Sequence, residues 1–404
     1  MIRRPWLLLA PVLAVSLFAL AFAPGSRAQN NASSGKLPGA RPTINAADYP
    51  TLQAAFNALG DKGGCVRLPA GTFEIEEPLV LETEDVLISG EGTATHIVNA
   101  NADGQPALVI RPKKHAEDAK AMLWRVQLAN FRLTGNEKSG HGVEAIRVNE
   151  IFIDGVTVSY HGGDGIRLDR CYEDPRVVNS LITYNKQTGL SLLGCHDIVV
   201  AANQFEENKD ALHCLDGFNL CMTGNNVDDH LGHGVVIENT YGSVVSGNMI
   251  EECNGVGIIL DRDCYGITLS ANVIAHEFAG GIELRDAHGC SVSANSFPLV
   301  WKRSIYVGPD SDRIAITGNA FSGSSIGGGQ TKRPIAENHP GGIVLEGTSD
   351  ITISGNNFSG LEMKALALEG APSRRVSFTG NVLADAKSDH EKLEASETAG
   401  NLAE

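Results

Sequence analysis

The chain has 404 residues and a formal net charge of −16 at pH 7, with 48 acidic against 32 basic Lys and Arg side chains. This negative charge repels phosphate backbones, so the composition argues against a nucleic-acid-binding protein. An acidic chain can still bind neutral sugars or cations, and it can bind a polyanion through a local basic patch or a bridging metal.

Residues 1–28 predict an export signal. Two arginines precede the apolar run PWLLLAPVLAVSLFALAFAP, and SRA at 26–28 offers small residues to a signal peptidase. Pro11, Pro24 and the small residues at the end of this segment favour a cleaved signal peptide over a membrane anchor. We therefore expect a secreted or periplasmic protein without membrane contact after signal removal, with a linker over residues 29–43.

A short helix is predicted over residues 48–60, in the segment DYPTLQAAFNALG. Asp48 can cap its start and Gly60 can end it. We expect this helix to cover the N-terminal end of the fold with its apolar face. That face consists of Leu52, Ala55, Phe56 and Leu59.

An internal repeat occupies most of the remaining chain. Asparagines within phrases such as SGN, SAN and TGN recur at intervals of 24, 22, 23, 24, 23, 24, 37 and 25 residues. These asparagines are Asn179, Asn203, Asn225, Asn248, Asn272, Asn295, Asn319, Asn356 and Asn381. A second phrase, such as GIRL, GVVI, GIIL or GIEL, precedes each by about half a period.

Short alternating apolar runs predict strands, and no helix-length segment separates them, which excludes a βαβ layout. The sequence therefore predicts an all-β fold, a parallel β-helix solenoid of about ten or eleven coils over residues 44–384. Equivalent residues of successive coils should then stack about 4.8 Å apart. The asparagines are interpreted as a structural ladder of side-chain amides.

Two further segments and a pair of cysteines complete the prediction. The 37-residue interval contains a polar insertion rich in Gly and Pro, predicted as a loop over residues 322–341. Residues 385–404 are charged and lack aromatic side chains, which predicts a mobile acidic tail. Among the eight cysteines, Cys171 and Cys195 share one column and are interpreted as an inward stack rather than a disulfide.

The helix, the following segment GGCVRLPAGTFEI, the phrase ISGEG and the GI.L…SGN.F rows resemble the pectate-lyase-like right-handed parallel β-helix superfamily. The resemblance covers roughly residues 44–383 and is specific for the fold. The superfamily includes polysaccharide lyases, glycoside hydrolases, uronan epimerases, fructan enzymes and non-catalytic proteins, so the fold leaves the function open. It also contains trimers, so either a monomer or a homotrimer is compatible with it.

Candidate site residues follow from the alternation of side chains within the GI.L strands. The first and third residues after the Ile or Leu should point outward, and the second residue before it should lie at a turn. The predicted catalytic residues in these columns are Asp210, His233, Glu238 and Asp261. The predicted substrate-binding residues are Asp164, Arg167, His213, Glu283, Arg285, Trp301, Arg303 and Tyr306.

Glu238 and Asp261 should lie one coil apart, about 5 Å between backbones. Two carboxylates at that separation raise one pKa or hold a cation, which suits a general acid paired with a base or nucleophile. Arg285 would hold a substrate carboxylate by a two-point contact. Asp210 would orient the imidazole of His233 as a second acid–base pair.

The segment NVDDHLGHGVVI, residues 226–237, is similar to a phrase of mannuronan C5-epimerases, Asp-Pro-His followed by His-Gly. This resemblance implies that His230 or His233 abstracts the C5 proton of a uronate. Asp229 replaces the proline, and the spacing to His-Gly is one residue short. The segment also resembles polygalacturonases, although their carboxylates come from different coils.

Calcium is a possible cofactor, with Asp261 and Asp263, or Asp228 and Asp229, as ligands. No loop carries the EF-hand pattern, and the sequence assigns no metal site. Our first hypothesis is an exported enzyme that cleaves a uronate-containing polysaccharide on one outer face of the β-helix, as a lyase or a glycoside hydrolase. The alternatives are a mannuronan C5-epimerase-like enzyme and a non-catalytic glycan-binding surface protein.

Overall fold

The computed structural model describes residues 37–323 and 339–403. From Arg41 onward these residues form one unit, in which short strands wind into a parallel β-helix. The predicted signal peptide and most of the predicted insertion loop lie outside the described residues. Within them, no helix combines the length and the apolar character needed to cross a bilayer.

Three sheets form the walls of the β-helix, and we name them A, B and C in the order in which the chain reaches them. Sheet A contains Thr43–Asn45, Gly64–Arg67, Val86–Ser89, Leu123–Ala129, Val148–Asp154, Arg176–Val178, Val199–Ala201, Cys221–Thr223, Val244–Ser246, Cys264–Tyr265, Thr268–Ser270, Ala287–His288, Ser291–Ser293, Asp312–Thr317, Ser349–Ser354, Ser373–Thr379 and Leu393–Glu394.

Sheet B contains Gly71–Ile75, Thr95–Asn99, Arg132–Thr134, Thr157–Ser159, Leu181–Thr183, Gln204–Glu206, Asn226–Asp228, Met249–Glu251, Val273–Ala275, Ser296–Pro298, Ala320–Ser322, Asn357–Ser359, Val382–Ala384 and Leu402–Ala403. Sheet C contains Leu79–Leu81, Leu108–Ile110, Val143–Ile146, Ile166–Asp169, Leu190–Leu193, Leu212–Leu215, Val235–Glu238, Val256–Asp261, Gly280–Leu284, Ile305–Val307, Ile343–Glu346 and Leu366–Glu369.

Each strand pairs in parallel with the equivalent strand of the next coil, as Leu212–Leu215 does with Val235–Glu238. The 14 strands of sheet B correspond to about fourteen turns, so the predicted ten or eleven coils are too few. The first turns lack the asparagine phrase on which the predicted count rests. The last turn lies in residues that the sequence predicts as a tail.

That last turn is formed by the segment predicted to be a mobile tail. Leu393–Glu394 pairs with Ser373–Thr379, and Leu402–Ala403 pairs with Val382–Ala384. Asn401 accepts hydrogen bonds from the backbone and side-chain amides of Asn381. A charged segment can take this place because its polar side chains remain at the solvent-exposed surface.

The asparagine ladder is a continuous column of buried amides. In each coil the Asn side-chain oxygen accepts from the backbone and side-chain N–H groups of the preceding Asn, as Asn248 does from Asn225 at 3.0 and 2.9 Å. Asn179 lies outside the ladder, because Ser180 occupies its register and bonds to Asn203. The ladder satisfies buried backbone groups at the turn between sheets A and B.

A second buried column lies at the corner between sheets B and C, and we call it the corner column. Its members are His161, Asn185, Asn208, His230, Cys253 and Glu277, all at most 1% exposed. These buried side chains leave no room for a Cβ atom at the glycine of the GI.L phrase. A Cβ at Gly165 would lie 2.7 Å from the Gly189 carbonyl oxygen and 2.8 Å from the Asn185 amide nitrogen.

The interior of the coils is apolar and contains stacked side chains. Phe297, Phe321 and Phe358 form a parallel stack with centroid separations of 4.9 and 4.5 Å. Cys171 and Cys195 are buried and unbridged, and hydrogen bonding between them with burial raises the pKa of Cys195. The interpretation of these two cysteines as an inward stack agrees with this arrangement.

The predicted N-terminal helix exists but is shorter than expected. A 3₁₀ turn spans Ala46–Asp48 and an α-helix spans Leu52–Asn57, while a second 3₁₀ turn spans Gly92–Ala94. Thr51, not Asp48, caps the α-helix by accepting from the Ala54 amide at 3.1 Å. The residue before Pro50 is extended, as sterics at proline favour, so the helix begins only after it. Its role in covering the first coil remains a prediction.

We predict that Asn248→Ala lowers the free energy of unfolding by about 3 kcal/mol, because it leaves buried amide partners unsatisfied. Asn226→Ala is the matched control, since its side chain lies on the outer surface of sheet B and donates to Gln204. It should cost less than about 1 kcal/mol. Urea unfolding followed by circular dichroism measures both, and equal losses would contradict the ladder's role.

A pH dependence follows from the corner column. Burial lowers the pKa of both His161 and His230 to about 4, below the ordinary value of 6.5. Between these values the unfolded chain binds protons that the folded chain does not, so stability falls as pH decreases from about 6.5 towards 4. Each histidine can contribute up to about 3 kcal/mol to this loss.

The double substitution His161→Asn and His230→Asn tests this expectation, because asparagine already occupies the intervening corner positions. Urea midpoints measured between pH 7 and 5 should fall less steeply for the double variant than for the wild type. Identical slopes would show that these histidines do not carry the pH dependence.

Candidate functional site

The outward side chains of sheet C form the face that the sequence predicted as a binding groove. We call it the sheet C face. Parallel register places His213 beside Val236, Glu238 beside Asp261, and Glu283 beside Tyr306. Most of the predicted site residues on the strands therefore do share one wall, as the stacking of coils requires.

A histidine–carboxylate pair lies near the middle of this face. The His213 Nε2 atom is 2.8 Å from Glu238 Oε2, and Arg262 Nε is 3.0 Å from Glu238 Oε1. An ionised carboxylate only accepts hydrogen bonds, so in neutral His213 the proton is on Nε2. The Nδ1 lone pair of His213 then remains available as a base, with Glu238 holding the ring in place.

The second group of the sheet C face is an ion-pair network around Glu283. The Glu283 side chain is only 5% exposed, and its carboxylate bonds to Arg285 at 2.7 Å and to Arg303 at 2.6 Å. Arg285 Nη1 also lies 3.8 Å from Asp261. Glu283 thus fixes two guanidinium groups side by side, each with further N–H donors that Glu283 does not use.

Tyr306 extends this network along the face. The Arg303 guanidinium lies over the Tyr306 ring, 4.3 Å from the ring centroid. The Tyr306 hydroxyl donates a hydrogen bond to Glu346 at 2.7 Å. Burial together with the Glu346 contact raises the pKa of Tyr306 to about 12. Tyr306 is therefore a protonated hydrogen-bonding group at neutral pH, not a base.

Glu238 and Asp261 are in register as predicted, but they belong to two ion-pair networks. Glu238 interacts with His213 and Arg262, whereas Asp261 interacts with Arg285. The predicted arrangement, an isolated carboxylate pair beside one arginine, is therefore replaced by two carboxylates with separate cationic partners.

Asp210 and His233 also differ from the predicted acid–base pair. Asp210 accepts from the backbone N–H of His233 at 2.6 Å, and His233 Nδ1 accepts from the Val256 N–H at 3.0 Å. With Nδ1 occupied, neutral His233 carries its proton on Nε2 and presents a donor. Burial lowers the pKa of His233, which keeps the ring neutral at pH 7.

Three other predicted residues lie away from the His213–Glu238 pair. Asp164 accepts from the Thr188 N–H at 3.1 Å and lies 3.6 Å from Arg167, which is two coils from His213. Trp301 lies edge-on to Phe278, with ring centroids 5.8 Å apart. Asp164 and Arg167 would contact only a substrate that extends over several coils.

His230, the other histidine of the epimerase-like phrase, belongs to the corner column. It is fully buried, and its Nδ1 lies 3.2 Å from the Asn208 carbonyl oxygen. The resemblance suggested that His230 or His233 abstracts a proton, but His230 has no access to a substrate. Local sequence could not separate the two, because the corner between sheets B and C turns one inward and the other outward.

A group of possible cation ligands lies at the same corner, on its outer side. Glu251, Glu252 and His276 place one ligand atom each within 4.8 Å of one another, and so do Asp228, Asp229 and Glu252. The second set contains the predicted calcium ligands Asp228 and Asp229 and adds Glu252. Asp261 and Asp263 interact instead with Arg285 and His288, so they do not form a pair of free ligands.

Sequence reasoning missed several residues of the sheet C face. Arg262 and Glu346 complete the two networks, and Glu346 would have been found by continuing the outward columns past the long insertion. A cleft of about 1080 Å³ extends the face beyond Arg303. Its lining includes Lys302, Arg303, Val344, Met363, Lys364 and Ala367.

Three solved structures illustrate how widely this fold is used. The A-module of the Azotobacter vinelandii mannuronan C-5 epimerase AlgE4 is 17% identical, with a TM-score of 0.58 over 82% of this chain and 99% of that chain. The catalytic unit of a GH87 α-1,3-glucanase from Streptomyces thermodiastaticus is 16% identical, with a TM-score of 0.61 over 89% and 71%. Tailspike protein 3 of bacteriophage CBA120 is 13% identical, with a TM-score of 0.55 over 81% and 59%.

At these identities the likenesses establish the fold alone. No protein with curated function matches the sequence. The family described as the right handed beta helix region matches residues 120–274, 174–321 and 225–358, which together span more than half of the chain. The chain therefore belongs to the right-handed β-helix family.

Proposed function

We propose that this protein is an exported enzyme that acts on a uronate-containing polysaccharide and cleaves it by β-elimination on the sheet C face. The observation that carries the proposal is that one wall holds an oriented histidine and, three and four coils further along, two fixed guanidinium groups. His213 Nδ1 is a base held by Glu238, while Arg285 and Arg303 are held by Glu283. The similarity in fold to the epimerase and the glucanase is compatible with a polysaccharide substrate.

The first step of such a reaction is removal of the C5 proton of a uronate. His213 Nδ1 takes this proton, and negative charge develops on the sugar carboxylate. Arg262, which Glu238 holds next to the base, stabilises that charge by donating N–H bonds. Arg285 and Arg303 lie three and four coils further along the face and bind the carboxylates of neighbouring uronates. The electrons then form a C4=C5 double bond as the C4–O4 bond breaks, and O4 requires a proton.

His233 is placed to contribute a donor to this chemistry. The His233 Nε2–H faces away from the Val256 contact. The charges of Arg285 and Glu283 act in opposite directions on the pKa of His233. A neutral imidazole with a fixed tautomer can donate to the leaving oxygen or to the sugar carboxylate. This role replaces the base that the sequence assigned to His233.

The cationic and imidazole partners of the carboxylates favour elimination over glycoside hydrolysis. Hydrolysis requires one carboxylic acid as a proton donor and a second carboxylate as base or nucleophile. On the sheet C face, Glu238, Asp261 and Glu283 each interact with at least one cationic or imidazole partner. An epimerase shares the first step of elimination and differs in returning a proton to C5.

We predict that the purified protein releases unsaturated uronates that absorb in the ultraviolet from alginate or pectin. New reducing ends without absorbance would indicate a hydrolase, and C5 deuterium exchange in D₂O without cleavage would indicate an epimerase. Binding to the polymer without any of these products would support the non-catalytic alternative.

His213→Ala should lower kcat by about 10²- to 10⁴-fold, because it removes the proposed base. Glu238→Gln should cause a smaller loss, since it weakens the orientation of the ring but leaves the base. His96→Gln, a histidine of sheet B, is the control and should leave kcat unchanged. Full activity of His213→Ala would contradict the assigned base.

We predict that Arg285→Lys lowers kcat/KM by about 10- to 100-fold, because lysine cannot keep the contact with Glu283 while offering a planar pair of donors to substrate. Arg313→Lys makes the same change at an exposed arginine that pairs with Asp312. Steady-state kinetics on the same polymer should show no effect at Arg313, and an equal effect at both sites would argue against a substrate contact at Arg285.

A further inference from the structure

A row of aromatic side chains follows the strands of sheet C, at the turn that leads into sheet A. We call it the aromatic row, and its members are Tyr172, His196, Phe218, Tyr241 and Tyr265. The first four have successive ring centroids 5.0, 5.8 and 6.4 Å apart. Parallel bridges join His196, Phe218, Tyr241 and Tyr265 in register, so the row places one ring on each of five successive coils.

The aromatic row is open to solvent, unlike the aromatic stack inside the coils. Phe218 is 43% exposed and Tyr265 is 55% exposed. Adjacent rings of the row are tilted by 54° to 60°, so each ring covers only part of its neighbour's face. The interior Phe297 and Phe321 rings, by contrast, are 4° from parallel and almost completely buried.

Planar polar groups flank the aromatic row. Asn219 donates to Asp197 at 2.8 Å on one side, and Asn239 donates to Asp216 at 2.7 Å on the other. These amides and carboxylates can exchange hydrogen bonds with hydroxyl groups. The carboxylates Asp197 and Asp216 would repel phosphates and uronate carboxylates alike. The flanks therefore fit neutral, hydroxyl-rich sugars of the polymer rather than its uronates, a nucleic acid or a phospholipid surface.

The aromatic row also lies beside the proposed catalytic groups. Tyr241 follows Glu238 by three residues, and Phe218 belongs to the same coil as His213. A linear ligand that follows the sheet C face along the β-helix axis would therefore run parallel to the row. Since the rings repeat once per coil, the fitting ligand is a polymer that repeats over a comparable distance.

We propose that the aromatic row is a second glycan-binding surface, on which successive sugar rings of the polysaccharide place their C–H faces while their hydroxyls bond to the flanking amides and carboxylates. Aromatic rings combine a large apolar face with restricted conformational freedom, which suits this contact. The inference rests on the proposed function, because it takes the bound polymer to be the one that reaches the sheet C face.

The test is affinity gel electrophoresis of the full chain in gels containing alginate, pectin, carrageenan or a fructan. The double variant Phe218→Ser and Tyr265→Ser should bind the retarding polymer roughly tenfold more weakly, which corresponds to about 1.4 kcal/mol from two lost ring contacts. Its kcat on oligosaccharides too short to span both surfaces should equal that of the wild type.

Two controls separate binding from folding. Tyr265→Phe keeps the ring and should bind like the wild type, and the unfolding temperature of the double variant should stay near that of the wild type. Tyr160→Ala removes an exposed tyrosine that stacks on Tyr184 beside sheet B, away from the row. It should leave retardation unchanged.

Several results would overturn the inference. If the wild type cleaves a polymer and the double variant binds that polymer equally well, the aromatic row is rejected and the proposed function stands. If the double variant changes the oligomeric state in light scattering, the row is an interface between copies. If the wild type neither binds nor alters any of the polymers, the proposed function itself fails.

Discussion

The in-register parallel hydrogen bonding of successive coils is the constraint on which the rest of this structure depends. It places residues 22 to 25 positions apart in sequence directly above one another, so each column must hold side chains that tolerate their own neighbours. Asparagine satisfies this condition at one turn through amide-to-amide bonds such as Asn225 to Asn248. Buried phenylalanines satisfy it in the interior by parallel stacking.

The same constraint explains why charges on the outer surface occur in networks. Like charges stacked in one column repel each other, because the backbones of adjacent coils lie about 5 Å apart. On the sheet C face, histidine and arginine side chains of neighbouring coils compensate the negative charges, as with His213 and Glu238 or Glu283 and Arg303. Such networks fix the orientation of each ring and guanidinium, which is the condition for a preorganised site.

The corner between sheets B and C decides which side chains reach the outer surface. Within a few residues it turns His230 into the interior and His233 outward, while Asp229 adopts a left-handed conformation with φ 54° on the exposed side. A glycine after this corner admits the buried side chain of the next coil, as Gly165 admits Asn185. Packing at the corner alone therefore makes His230 a structural residue and leaves His233 as a candidate functional residue.

The sequence by itself determined the all-β solenoid, the asparagine ladder from Asn203 to Asn381 and the register of Glu238 with Asp261, because these follow from a period and from strict alternation. It could not determine the coil count, since the first turns lack the repeated phrase and Asn401 lies in a charged segment. Only the tertiary structure decided which nitrogen of His213 and His233 is occupied, and that Glu283 is the buried centre of two arginines. Those outcomes depend on hydrogen bonds between coils, which a linear pattern does not specify.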